Sequence, residues 1–218
     1  MRTFRHMWRP SAFAKATADR LLTPGAVAFA AVLLLSPLPA AAQGSSVQSL
    51  LERGALQEAV ERASAEVDNP VSTYLAAQAL IKMDNSGGAE ERFNQLRETG
   101  DDCWKAIAES GAKLLAGDVR GAMDAANRAI EANGDNPFAH YQLGLVAAKQ
   151  QNYARATDAF TRATELNPEF AYAHLYAGQA AQRLKQTAKM ADHFRYFLKL
   201  APEAPERQSV QAILRSLR

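Results

Sequence analysis

A pattern that recurs at a step of thirty-four is the feature that most narrows what this chain can fold into. Set beneath Pro137–Phe170, the segment Ala171–Ala204 places His174 under His140, Gly178 under Gly144 and Phe194 under Phe160. Leu200 falls under Leu166 and Pro202 under Pro168. The same step taken backwards from Ala156 and Ala163 reaches Ala122 and Ala129. So many matches at one offset mean that one supersecondary unit recurs, each copy burying its apolar face on the next.

Each unit reads as two helices. In the segment 137–170 the first runs from Pro137, a residue suited to a first helical turn, to about Gln150. A polar turn, Gln151-Asn152, leads to a second helix from Tyr153 to about Leu166, ended by Asn167-Pro168. Gly144 and Gly178 stand in mid-helix, where glycine costs about 1 kcal/mol relative to alanine. Close approach of the paired helix is the compensating reason. Ala156, Phe160 and Ala163 share the buried face of the second helix at helical spacing.

Composition agrees with helices. The chain is 48% hydrophobic, enough for a sizeable core, and alanine dominates that share. Isoleucine occurs only at Ile81, Ile107, Ile130 and Ile213, too few β-branched residues for a β-rich or α/β fold. A single cysteine, Cys103, excludes a disulfide scaffold and a multi-cysteine metal site within one chain.

On Leu143-Gly144, Tyr153, Ala156, Phe160, Ala163 and Pro168, with Gly178, Phe194 and Pro202 in the next unit, the chain resembles the tetratricopeptide repeat family. Earlier units carry Gly117-Asp118-Val119, Ala122 and Ala129, and before them Ala76-Ala77, Ala89, Phe93 and Leu96. The resemblance implies an all-α fold, a right-handed α-solenoid of antiparallel helix pairs. Units are placed at 70–102, 103–136, 137–170 and 171–203, after a partial leading repeat in 43–69 with Gly54-Ala55-Leu56, Ala59 and Ala63. Val210, Ile213, Leu214 and Leu217 form a helical stripe that makes 204–218 a capping helix. Met190 and Phe197 depart from the family, which keeps alanine there. The register around Trp104 is ambiguous, and a shifted one is physically better. Strict repeat spacing buries Glu109, whereas a face of Trp104, Ile107, Ala108 and Gly111 needs about two extra residues.

The resemblance also implies that the first helix of each unit lines a concave groove. Counting from Gly144 and Gly178, the inward places are Phe138, Tyr141 and Leu145, then Tyr172, Leu175 and Gln179, with Lys149 and Arg183 towards the rim. Relatives that clasp a terminal carboxylate line this groove with lysine, arginine and asparagine, a set absent here. An apolar, aromatic groove instead suits an amphipathic helix or an extended hydrophobic peptide.

The segment 1–42 reads as an address. Arg2, Arg5, Arg9, Lys15 and Arg20 precede the apolar run Ala26–Leu35, then Pro37, Pro39 and Ala40-Ala41-Ala42. That is the secretory pattern, with cleavage expected before Gln43. Two prolines interrupt a run already shorter than a membrane span, so no span is expected after cleavage. Removing residues 1–42 leaves 20 basic and 22 acidic residues, so the formal charge of +2 belongs to the signal and nucleic-acid binding loses its compositional support.

Little else could carry chemistry. His140 and His174 occupy one place in successive units, but no carboxylate or cysteine joins them at a ligand spacing, so they read as packing residues. His193 is expected on the exposed side, and Cys103 as a partly buried thiol near a helix start. Asp84-Asn85-Ser86-Gly87-Gly88 lacks the spaced acids of a Ca²⁺ loop and reads as a turn. The expectation is an exported, periplasmic or secreted, non-catalytic module without cofactor or metal that binds a protein or peptide. Envelope assembly is one setting for it. Self-assembly into a homo-oligomer through helix 203–218, or a redox- or metal-linked accessory role, are the alternatives.

Overall fold

The computed structural model describes residues 46–217. The export signal and its cleavage site lie outside the described residues. Eleven α-helices and no strand occur among those described. A short helix α1 (Val47–Glu52) precedes α2 (Leu56–Ser64). Four long pairs follow: α3 (Pro70–Lys82) with α4 (Ser86–Thr99), α5 (Asp102–Leu115) with α6 (Val119–Ala132), α7 (Pro137–Lys149) with α8 (Tyr153–Leu166), and α9 (Ala171–Arg183) with α10 (Thr187–Leu200). The last helix is α11 (Arg207–Arg215).

Local chemistry sets each boundary. The tight turn inside every long pair passes through one left-handed residue: Asp84, Gly117, Gln151 and Lys185, with φ of 57°, 83°, 60° and 59°. The next residue caps the second helix in three of the four pairs. Asn85, Asp118 and Asn152 accept from the backbone N–H of Gly88, Gly121 and Arg155. The Asp84–Gly88 run is therefore a turn and a cap. The steps from Gly117 to Gln151 and from Gln151 to Lys185 are both 34, and the step from Asp84 to Gly117, which contains α5, is 33, so the second pair carries no two-residue insertion.

That settles the register around Trp104. The strict spacing holds, and Glu109 escapes burial by lying on the flank of α5, where Lys113 Nζ at 2.9 Å and Arg128 at 2.7 Å hold its carboxylate. Those bonds keep the Glu109 carboxyl below its usual range, the Lys113 bond foremost. Trp104, Ile107, Ala108 and Gly111 are buried all the same, because an inner helix touches neighbours on several sides.

Glycine permits the intimate contact inside a pair, and what fills the space is a side chain. A Cβ built on Gly144 would lie 2.6 Å from the Phe160 ring, and one on Gly178 would lie 2.5 Å from Phe194. Phe93 instead presses on Gly111 of the following pair. The α5–α6 pair has Ala126 in place of the phenylalanine and Ser110 in place of the glycine, with Ser110 Oγ donating to the Ala122 carbonyl at 2.8 Å. Met190 and Phe197 are both buried. At the far end α11 seats Val210 in the core and rests Ile213 and Leu214 against it, covering the last pair.

Gly144→Ala should therefore lower stability by about 1–2 kcal/mol, since overpacking against Phe160 outweighs the gain in helix propensity. Gly87→Ala, in the first turn of α4 with nothing near its would-be Cβ, should raise stability by up to about 1 kcal/mol. Urea unfolding of the two variants checks the opposite signs.

Candidate functional site

The concave face is built from the inner helices α3, α5, α7 and α9. The repeat brings Tyr74, Ile107, Tyr141 and Leu175 to one level of it, and Trp104, Phe138 and Tyr172 to another. These side chains do not stand open to solvent. Phe138, Tyr141, Tyr172 and Leu175 are all buried, with Phe138 5% and Tyr172 2% exposed. Ring centroids lie 5.6 Å apart for Tyr74 and Phe138, 5.5 Å for Trp104 and Phe138, and 4.7 Å for Tyr141 and Phe170. Offset and edge contacts at such distances add to the area buried. The expected aromatic groove is thus mostly an aromatic interior, because the inner faces close on one another.

Polar groups inside it are satisfied. Tyr74 Oη donates to Gln142 Oε1 at 2.8 Å, Gln142 Nε2 donates to Ser110 Oγ at 3.2 Å, and the serine passes its own hydrogen to Ala122. Burial raises the phenols of Tyr74 and Tyr141 well above their usual range. They act only as neutral donors at any physiological pH.

Two sets of contacts join the ends of the stack across the concave mouth. Lys82, closing α3, pairs with Glu206 at 2.8 Å and lies over the Tyr172 ring at 4.2 Å from its centroid. The α1 helix reaches the start of α9. Gln48 Nε2 donates to the Glu169 carbonyl at 2.9 Å, and the Ala171 N–H donates to Glu52 Oε1 at 3.1 Å. Tyr172 Oη donates to the Leu51 carbonyl at 3.4 Å. Glu52 is only 8% exposed, and burial pushes its carboxyl up to about 7, with the charge of Glu169 in the same direction.

What stays open is a recess of about 410 Å³ towards the C-terminal ends of the inner helices. Leu145 and Lys149 line it, as expected of them, together with Ile81, Leu114, Leu115 and Tyr176. Sequence reasoning missed those four. The repeat step could have found Leu115, one unit before Lys149, and Ile81 and Leu114 share the adjoining rim level. Gln179 and Arg183 are set apart in a second recess of about 440 Å³, against Val210 and Ile213 of α11. The Arg183 guanidinium lies 5.7 Å from the Tyr153 ring centre. Among the described residues no ion pair involves Lys149 or Arg183.

The histidines pair differently from the sequence expectation. His140 Nε2 and His174 Nε2 bond the equivalent carbonyls of Gly134 and Pro168, at 2.8 and 3.2 Å. His193 is half-buried, not exposed, with its Nδ1 3.2 Å from His174 Nδ1 and its Nε2 3.5 Å from Thr161 Oγ1. A donor must face an acceptor at each contact. Burial favours two neutral rings, and with both neutral His174 donates from Nε2 to Pro168 and accepts at Nδ1 from His193 Nδ1–H, while His193 Nε2 accepts from the Thr161 hydroxyl. Burial lowers both, His193 to about 4. Cys103 is buried, receives a bond from Asn136 Nδ2 at 3.5 Å, and burial pushes its thiol up to about 11. No group of three histidine, cysteine or carboxylate side chains converges as metal ligands would among the described residues.

The fold and its inner face define an α-solenoid of stacked helix pairs. Residues 137–170 match the family model described as Tetratricopeptide repeat. No curated protein matches the chain. Among solved structures, TTC0263, a thermophilic TPR protein of Thermus thermophilus, is 16% identical with a TM-score of 0.54, covering 78% of this chain and 98% of the other. The Arabidopsis OM64 TPR domain is 20% identical at 0.51, covering 54% and 97%. The first TPR of Spaghetti (RPAP3), bound to an HSP90 peptide, is 18% identical at 0.51, covering 53% and 93%. The likeness at these identities is one of fold.

Glu52 and the histidine pair have opposite linkage. Between pH 4 and 6.5 the unfolded chain protonates its histidines while the folded pair resists, so this pair makes stability rise with pH. The Glu52 carboxyl, raised from 4.5 to about 7, favours folding while protonated, and that contribution is lost as pH rises through 7. Glu52→Gln keeps the acceptor for Ala171. It should match the parent at pH 4.5 and exceed it by about 2 kcal/mol at pH 8, read by thermal unfolding across pH.

Proposed function

We propose that this chain is a non-catalytic protein–protein interaction module, exported to the periplasm or beyond, that docks an apolar helix or extended peptide at the open recess of its concave face. The observation that carries the reading is the recess itself. Ile81, Leu114, Leu115, Leu145 and Tyr176 converge on one cleft with the Lys149 ammonium at its edge, while the aromatic ladder behind them is packed away. A preformed apolar cleft with one cation accepts a hydrophobic anchor beside a carboxylate at little ordering cost. The binding of an HSP90 peptide by a protein of the same fold lends the reading support by analogy. The interior hydroxyls and amide are engaged with one another, and the one thiol is held protonated, which supports a binding role over a catalytic one.

The basic lead, the apolar run and Ala40-Ala41-Ala42 support export. The full chain expressed in a Gram-negative host should appear in the periplasmic fraction with Gln43 as its first residue. Retention in the cytoplasm with an intact leader would remove this part of the reading.

Because Phe138 and Tyr172 are buried, truncating them measures stability and not docking. Leu145→Asp with Lys149→Glu is the informative variant. Peptides selected by display on the intact chain should bind it at least about tenfold more weakly, with helicity and melting unchanged. Equal binding to parent and variant would place the docking surface elsewhere.

A further inference from the structure

We propose that the mouth of the concave face is a seat for a short amphipathic helix with apolar residues at i, i+3 and i+4 followed by a neutral side-chain acceptor (a carboxamide or a protonated carboxyl), and that α1 is the chain's own, displaceable occupant of that seat. This deepens the proposed function, since it names a second subsite of the same face and the chemistry of what fills it.

Four observations carry it. Val47, Leu50 and Leu51 of α1 are each 5% exposed or less, at the spacing that puts three side chains on one helical face. The polar contacts of α1 are equally pointed. Gln48 reaches the Glu169 carbonyl and Glu52 accepts from the Ala171 N–H, both far along the chain, so the helix bridges from α3 to the start of α9. Next, the seat is held without α1. Tyr172 is fixed by Lys82 over its ring, and its single hydroxyl hydrogen, which the Leu51 carbonyl and Glu206 share at 3.4 and 3.3 Å, can pass wholly to Glu206, itself paired with Lys82 at 2.8 Å. Lastly, α1 depends on its seat for its helical form. So short a helix does not sustain itself alone, and its buried carboxylate has no cation within ion-pair reach among the described residues.

The link between α1 and α2 is Arg53, Gly54 and Ala55, turning through Gly54 at φ 81°. Three residues span roughly 10 Å at most. They hold α1 beside its own α2 and favour a separate helix over α1 of a second copy as the competitor. The fitting partner carries the pattern of Val47-Gln48-Ser49-Leu50-Leu51-Glu52, in which an aliphatic triad enters the aromatic mouth and a carboxyl or carboxamide oxygen meets the free N–H at the start of α9.

The test uses the full chain with Leu50→Asp and Leu51→Asp, which expels α1, and a milder Gln48→Ala, Glu52→Ala variant that removes only its polar links. The probe is a fluorescein-labelled peptide of residues 46–53. Both variants should melt cooperatively, and the first should bind the peptide at least about tenfold more tightly than the parent, with the second between them. A peptide carrying Leu50→Asp should not bind. A folded variant that ignores roughly 100 µM peptide overturns the proposal. Loss of cooperative melting in the first variant overturns it too, because α1 would then be part of the stack and not its occupant. Dimers of the parent that the aspartate pair abolishes would overturn the choice of a separate helix. Unaltered peptide binding in the Leu145 and Lys149 variant would separate this mouth from the recess, so either reading can fail alone.

Discussion

A phenylalanine ring lying on bare backbone is the contact on which the rest of this molecule depends. Phe160 and Phe194 rest where Gly144 and Gly178 have no side chain, and that sets how closely the two helices of a pair can lie. The third and fourth pairs inherit that spacing, and the alanines on the outer helices keep the next pair equally near. The second pair shows the rule by breaking it. With Ala126 opposite Ser110 there is room for a hydroxyl, and the hydroxyl becomes a hydrogen-bonding node.

Most of the helix pairs could be read from the sequence, because they are local events repeated. Pro137, Gln151-Asn152, Tyr153 and Asn167-Pro168 each mark a boundary by their own chemistry, and the repeat copies those boundaries along the chain. Val210, Ile213 and Leu214 of the terminal stripe pack on the core as helical spacing predicts, whereas Leu217 lies beyond the end of α11 and is exposed. Closure of the concave face was not. It results from small rotations between successive pairs that add up over the whole stack, so its contacts join residues such as Lys82 and Glu206 that no local pattern relates. The inward places Phe138, Tyr141, Tyr172 and Leu175 were identifiable, but whether they face solvent or one another depends on that accumulated curvature. Leu145 and Lys149 stayed at the open end, and Gln179 and Arg183 went to a different recess because α11 folds back beside α9.

The histidines teach the same distinction. The repeat predicts that His140 and His174 are equivalent, and in one bond they are, since Gly134 and Pro168 hold the same place before them. The second nitrogen of His174 finds His193 on the outer helix of its own pair, a partner that the repeat does not supply elsewhere. Neutral rings linked this way specify a packing geometry. Their cost appears only when the unfolded chain can take up protons that the folded pair refuses.

Polar contacts in this interior set register more than they supply stability. The Lys82–Glu206 pair is about a quarter exposed on each side, and such pairs contribute on the order of 0–1 kcal/mol. Burial of the aromatic ladder is the larger driving term, yet it is nearly blind to position, since rings pack in many orientations. A chain of donors and acceptors is not blind. Tyr74, Gln142 and Ser110 come from three different inner helices, and each bond is made only when those helices stand at one relative height. Sliding one pair along another would leave a buried amide or phenol unpaired, at about 1–3 kcal/mol apiece. The apolar surface draws the stack closed, and the polar thread through it selects one closed arrangement among many.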